Sequence, residues 1–461
     1  MGRTVIVIGG GSAGVGAAYR AALCGADVWL IENGGALGGT SVLGGVNCWE
    51  PGIASFGLNR LLYERLRRIP LAASVGRAIH TYDPESHIGL NGVDPALPYE
   101  ASLRRGTIAP MAAARVHFEP AAMARVMREV LEEAGVRLVT NTAFIGARAD
   151  GERVRAAVLR DLMTGEEYEL PGGVFLDCTG DAAVCRMLEV PVSFGEDPQA
   201  LYGEPCAPER ATGIVNGVSL CFRAAPGAVP DEIPAWVRDT EAADWAAKGN
   251  IPASHVTLYP NGDRCYNELP LMEGLEYFRL PPQMRLRALT ARVWLYWDRM
   301  KREHGHGDWH ITRIMPRAGV RESWRVRTLE ITTENDLRAG FAAQGDGIVA
   351  LADHTLDTHG RRTATAALPS ALETPYGIRG RSLVTAEYEN LLVAGRCAGF
   401  SHLAASSCRL SRTMMDLGEA AGALAAENGD LRVCPMDGVR EKLQFARYLE
   451  WAERSYPLIG S

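Results

Sequence analysis

A chain of 461 residues is longer than a single small core needs and predicts roughly two or three domains. Hydrophobic residues at 47% and charged residues at 22% match ordinary globular usage, while a net charge of −7 excludes a surface built for nucleic acid. The ten cysteines contain no Cys-x-x-Cys pair, so neither a zinc template nor a thioredoxin-like pair is signalled, and a reducing, cytoplasmic setting is expected. The N-terminus does not read as a signal peptide, and no run reaches the ~18 apolar residues of a membrane span.

Thr4–Ile8 (TVIVI) is a continuous β-branched run, the pattern of a strand buried on both faces of a parallel sheet. It leads into Gly9-Gly10-Gly11-Ser12-Ala13-Gly14, which satisfies G-x-G-x-x-G. A small-residue helix over Ala13–Leu23 and a second strand over Asp27–Ile31 follow, and Glu32 ends that strand. Each part has a physical job. Gly9 permits the tight turn, Gly11 lets the backbone approach a pyrophosphate, and Gly14 allows close helix–strand packing. The helix start at Ser12 and Ala13 offers free N–H groups to phosphate, and Glu32 is placed to accept hydrogen bonds from ribose hydroxyls. The order strand, glycine loop, helix, strand, acid predicts dinucleotide binding.

The next segment, Glu32-Asn33-Gly34-Gly35-Ala36-Leu37-Gly38-Gly39-Thr40-Ser41, resembles the double-glycine extension of glutathione-reductase-type FAD proteins. That resemblance implies that Asn33, Gly38, Gly39, Thr40 and Ser41 run beside the cofactor. Phe118–Glu133 reads as a helix with apolar positions at Met123, Val126, Met127, Val130 and Leu131. Val136–Thr140 reads as a strand, and Asp150-Gly151 as the turn of a β-meander within Phe144–Asp161. Gly173–Asp181 resembles the strand and Thr179-Gly180-Asp181 turn that closes the FAD domain in this superfamily. Near the C-terminus, Asn390–Arg396 is a strand ending in Gly395-Arg396. A serine-rich loop follows, then a helix with a small-residue face that includes Gly418. This resembles the last FAD-binding element of flavoproteins, in which a helix N-terminus faces the flavin pyrimidine ring.

With Asn47–Gly52, His402–Arg409 and the Arg321-Glu322-Ser323-Trp324-Arg325 segment, these motifs are similar to the bacterial FAD-dependent oxidoreductase family, in its R-E-S-x-R-containing branch. Glu419 stands where that family often has Gln. The resemblance implies an α/β fold with a Rossmann-type FAD-binding domain, a parallel sheet flanked by helices with a β-meander. Residues 1–187 and 385–430 would form it, with loops from 50–115 near the active site. Residues 188–384 would form an inserted α+β substrate or cap domain, with helix-like stretches at Ile233–Lys248 and Met284–Arg302, and 431–461 a helical tail.

A flavin supplies the electron chemistry, so the protein's task is to place substrate and manage protons and charge. Arg321 and Arg409 offer planar forks for an anionic group, Glu322 can hold either arginine, and His402 can exchange a proton near neutral pH. Structural ion pairing competes with each of these roles. Cys48 reads as a buried inert thiol or, against that, a reactive one near the flavin. His304, His306 and His310 match no zinc spacing, so no metal is expected. The expected activity is two-electron oxidation or reduction of a small polar molecule at flavin N5. A non-redox flavoprotein (isomerase or hydratase) and a dinucleotide sensor are the alternatives. No second glycine-loop unit for a nicotinamide is complete, so quinone, protein, oxygen and nicotinamide stay open as electron partners. A homo-oligomer is compatible with this reading.

Overall fold

The computed structural model describes residues 2–53, 57–103, 114–227, 232–240, 242–247, 252–268, 270–359, 372 and 374–455. A five-stranded parallel sheet forms its first layer, in the order Leu391–Val393, Val174–Asp177, Thr4–Ile8, Asp27–Ile31 and Arg137–Val139. The β-branched first strand is therefore central, and Val5, Ile6 and Val7 are fully buried, as their lack of polar alternation requires. The helix Pro120–Glu133 buries Met123, Val126, Met127, Val130 and Leu131, the five positions that its periodicity marks. The meander comprises Thr142–Asp150, Arg153–Asp161 and Glu167–Pro171, all antiparallel.

The second layer is an eight-stranded sheet. Its order is Trp309–Ile314, Phe222–Pro226, Arg264–Glu268, Ser254–Leu258, Ile88–Val93, Ala73–Asp83, Arg115–Phe118 and Cys48–Trp49. Strands from 48–118 and from 222–314 thus share one sheet. The helix Pro282–Glu303 covers one side of it, where Trp297 meets the stacked Phe222 and Tyr266 rings edge-on. The stretch 233–248 gives two short helices, Ala235–Arg238 and Ala242–Ala247, and its last residue lies outside the described ones.

Two helices join the layers. Ser12–Leu23 leaves the first strand at Gly9, whose φ of +103° and closeness to the Cys178 carbonyl both demand glycine. It crosses Ser411–Ala425 at backbone contact: a Cβ on Gly418 would overlap the carbonyl oxygen of Ala13, and one on Gly422 that of Ala17. The serine-rich stretch before that helix is itself helical, His402–Cys408, rather than the expected loop. Ser401 caps it by accepting from the Ala404 amide, Ser406 returns its hydroxyl to the Leu403 carbonyl, and Ser407 donates to the distant His354 carbonyl, so each buried serine is satisfied. The tail carries helices Met436–Lys442 and Phe445–Ser455. No described helix is long and apolar enough to cross a membrane.

Gly418→Ala should destabilise the protein by about 1–3 kcal/mol, the usual cost of overpacking. Urea unfolding measures this; an unchanged or higher midpoint would mean that helix propensity outweighs the crossing.

Candidate active site

A cavity of about 740 Å³ lies between the two layers, and both joining helices begin on its wall. At one end stand Gly9, Gly11, Ser12, Ala13, Glu32 and Asn33. Gly11 caps its helix with extended backbone and no side-chain acceptor, so the first-turn N–H groups are left for a ligand. A Cβ at Gly11 would meet no protein atom within 4 Å. That open space is where a pyrophosphate can approach the backbone. The Glu32 carboxylate accepts from the Gly10 amide at 2.8 Å and the Gly34 amide at 2.7 Å, which fixes it at the cavity edge. Arg317 reaches it from a distant segment at 3.1 Å and also bonds Asn33 Oδ1 at 2.7 Å.

Gly39, Thr40, Thr179, Gly180, Asp181, Gly395 and Arg396 line the middle. Their turn is rigid because the buried Asp177 carboxylate accepts from the Thr179 hydroxyl and from the amides of Thr179, Val184 and Cys185. Asp181 accepts from Arg396 at 2.7 Å and from the Ser323 hydroxyl at 2.6 Å.

Four residues expected at the cofactor lie behind this wall. Gly14 packs on the Gly9 carbonyl, Gly38 on Val42, and Gly418 on the first helix. Ser41 bonds the Ser411 hydroxyl at 3.0 Å and so ties the double-glycine loop to the second helix. Small residues act there by allowing close packing.

The far end is bounded by Gly45–Gly52, which includes Cys48, and by the uncapped N-terminus of Ser411–Ala425 through Leu410, Ser411, Arg412, Thr413 and Met414. An elongated cofactor fits this lining, with a phosphate-seeking helix end at one side and a second helix end for a charge-accepting ring at the other. Arg321 and Arg409 stand beside that second end. Arg321 is held by the Gly217 carbonyl at 2.9 Å, the Ser219 hydroxyl at 2.9 Å and Asn267 Oδ1 at 3.3 Å. Arg409 bonds the Asp357 carboxylate at 3.1 Å, which His359 Nε2 meets at 2.8 Å. Burial and the neighbouring Arg409 charge lower the Arg321 pKa to about 10. Burial also lowers His359 to about 4, against the opposing hydrogen bond with Asp357, and the Arg321 and Arg409 charges add to the lowering. A neutral His359 that donates Nε2–H to Asp357 keeps Nδ1 as an acceptor.

Glu322 and His402 sit behind the cavity wall. Glu322 accepts from His402 Nδ1 at 2.8 Å, from the Asn216 amide at 3.0 Å and side chain at 2.8 Å, and from Arg325. Arg325 also bonds Asp197 at 2.9 Å and the Phe400 carbonyl at 3.1 Å. Burial alone would raise the Glu322 pKa, but His402 and Arg325 bring it down to about 2. The pair is therefore part of a closed ionic network that backs Arg321.

Sequence reasoning missed Arg317, Asp357, His359, Glu50, Arg115 and His255, all on the cavity wall. Strand alternation at His255 and Thr257 shows a shared face, but only the fold reveals what that face meets.

Removing Glu322 leaves Arg325 and His402 without their shared partner, so Glu322→Ala should cost about 3–5 kcal/mol. Because its folded pKa of about 2 lies below the ordinary 4.5, its stabilisation is complete above about pH 4.5 and fades as pH falls toward 2. Urea midpoints across that window should fall less steeply in Glu322→Gln; parallel curves would contradict the network.

Similar solved folds include a geranylgeranyl bacteriochlorophyll reductase-like protein from Thermoplasma acidophilum, with TM-score 0.50, 12% identity, and coverage of 98% of this chain and 85% of that one. BexE (TM-score 0.45, 14% identity, 99% of this chain and 69% of that chain) and the myxobacterial FAD-dependent halogenase CndH (TM-score 0.43, 13%, 98% and 79%) are also similar. No curated protein matches. A family model described as FAD dependent oxidoreductase matches residues 4–444, and the chain belongs to that family.

Proposed function

We propose that this FAD-dependent oxidoreductase performs two-electron redox chemistry on a small organic anion held by Arg321 and Arg409. The carrying observation is that these two arginines line the same cavity as the dinucleotide loop, beside the N-terminus of Ser411–Ala425. Two cations that crowd each other, Arg409 bonded to the Asp357 carboxylate, form a site that gains from a ligand carboxylate. FAD, when bound, supplies the electron chemistry. Gly11, Ser12 and Ala13 would hold its pyrophosphate, Glu32 its ribose and Thr179–Asp181 its middle portion. The glutathione-reductase-type arrangement belongs to this reading, supported by Gly39, which packs against Gly11.

The chain's own residues then do three things. Arg321 and Arg409 orient the anion, His359 Nδ1 takes the proton that a hydroxyl or amine substrate releases on oxidation, and Asp357 fixes the imidazole. The amides at Ser411–Thr413 would stabilise negative charge on a bound flavin. In domain terms, 1–187 with 385–430 would carry the cofactor, except that strands of 48–118 join the second sheet, and 188–384 would carry most of the anion site.

Gly11→Ala should fold normally yet bind FAD more weakly, because its methyl projects into the cavity mouth; equal FAD affinity by fluorescence titration would refute the cradle. Anaerobic mixing of the flavin-loaded protein with a panel of small carboxylates should bleach the flavin with at least one member. Arg321→Met should raise that substrate's KM roughly tenfold to a hundredfold, the cost of a charged hydrogen bond. Turnover without bleaching would favour non-redox chemistry, and an unchanged KM would remove Arg321 from the anion site.

A further inference from the structure

One group of donors on the cavity wall has no place in that scheme. Cys48 lies on the edge strand of the eight-stranded sheet, and Glu50 follows two residues later. His255 comes from Ser254–Leu258, a strand that pairs with Ile88–Val93. The sheet brings the thiol sulfur, a carboxylate oxygen and an imidazole nitrogen within 4.8 Å of one another. All three residues also line the cavity.

Their surroundings hold two of the donors in place. The Asn91 side-chain amide meets His255 Nε2 at 2.7 Å, where with Oδ1 turned inward it accepts Nε2–H and leaves Nδ1 free to ligate, and Arg115 Nε donates to Glu50 Oε2 at 3.0 Å. Metal-binding sites commonly orient an imidazole and a carboxylate through such outer contacts. An independent sign of unmet polarity lies in the same ladder. His117 pairs with Cys48 in register, is fully buried, and neither ring nitrogen has a hydrogen-bond partner among the described residues. A bound cation would displace the Cys48 thiol proton.

We propose that Cys48, Glu50 and His255 form a three-ligand site for a divalent transition-metal ion, with its open position facing the cavity. One thiolate, one imidazole and one carboxylate select zinc or a similar ion over magnesium or calcium. The thiolate and carboxylate balance the dication, while Arg115 orients Glu50. An ion at this place faces the cavity that holds Arg321 and Arg409, where it would polarise an oxygen of the bound molecule. The site does not depend on the redox reading, because metal content is measured without turnover.

The test uses the flavin-loaded full chain, stripped with chelator, dialysed, and titrated with Zn²⁺ by calorimetry, with metal content after gel filtration as second readout. Wild type should retain one equivalent. Cys48→Ser and His255→Ala should each lose it while keeping the unfolding midpoint. Asn91→Ala should weaken affinity about 10- to 100-fold. Cys206→Ser, which alters a cysteine hydrogen-bonded to Arg338, should bind as wild type does. Absence of a retained equivalent in wild type would overturn the proposal. So would full retention in Cys48→Ser and His255→Ala, and so would loss in Cys206→Ser equal to theirs.

Discussion

The crossing of Ser12–Leu23 with Ser411–Ala425 is the constraint on which the site depends. Gly16, Gly418 and Gly422 each face a backbone atom of the partner helix, with no room for a side chain. Helices that touch through backbone have their relative position set by hard contact, and here that contact puts both N-termini on one cavity. Each N-terminus brings unsatisfied amides and a partial positive charge; in the proposed function one serves a phosphate and the other a ring that gains electrons. The Ser41–Ser411 hydrogen bond ties the double-glycine loop to the second of these helices.

The stretch from Arg317 to Arg325 connects the ends. Arg317 meets Glu32 at the nucleotide end, Arg321 lines the anion end, and Ser323 bonds Asp181 between them. Glu322 and Arg325 face the other way, into a buried network with His402, Asp197 and Asn216. Buried charges of this kind are costly unless fully partnered, and here they are partnered on every side. Their role is to hold the segment still, so that Arg321 stays fixed while the cavity is filled. Alternation of facing explains why neighbouring residues, Arg321 and Glu322, have separate jobs.

Local sequence made the nucleotide end legible. Strand, loop, helix and acid lie within one short stretch, and spacing alone put Gly11 and Glu32 at one end of the cavity. The Met123–Leu131 face was equally readable, since helical period fixes burial without reference to the rest of the chain. Gly14 and Gly418 illustrate an ambiguity: a missing side chain permits approach, but spacing does not say whether cofactor or helix approaches. His402–Cys408 looked like a loop because serine favours turns, whereas burial with local hydroxyl bonding holds it helical. Asp357, His359 and His255 were invisible, because long-range pairing of the eight-stranded sheet and the return of the 353–359 segment create their setting. Sites assembled from distant strands carry no local spacing signal.

The central claim is that one cavity orients an extended FAD between two helix N-termini. A crystal structure of the FAD complex tests it most directly. The account predicts the pyrophosphate at Gly11–Ala13, the ribose at Glu32, and the isoalloxazine between Cys48 and Ser411–Thr413, with Arg321 and Arg409 beside it. An isoalloxazine lying near Glu32, or a ring remote from both arginines, would contradict it.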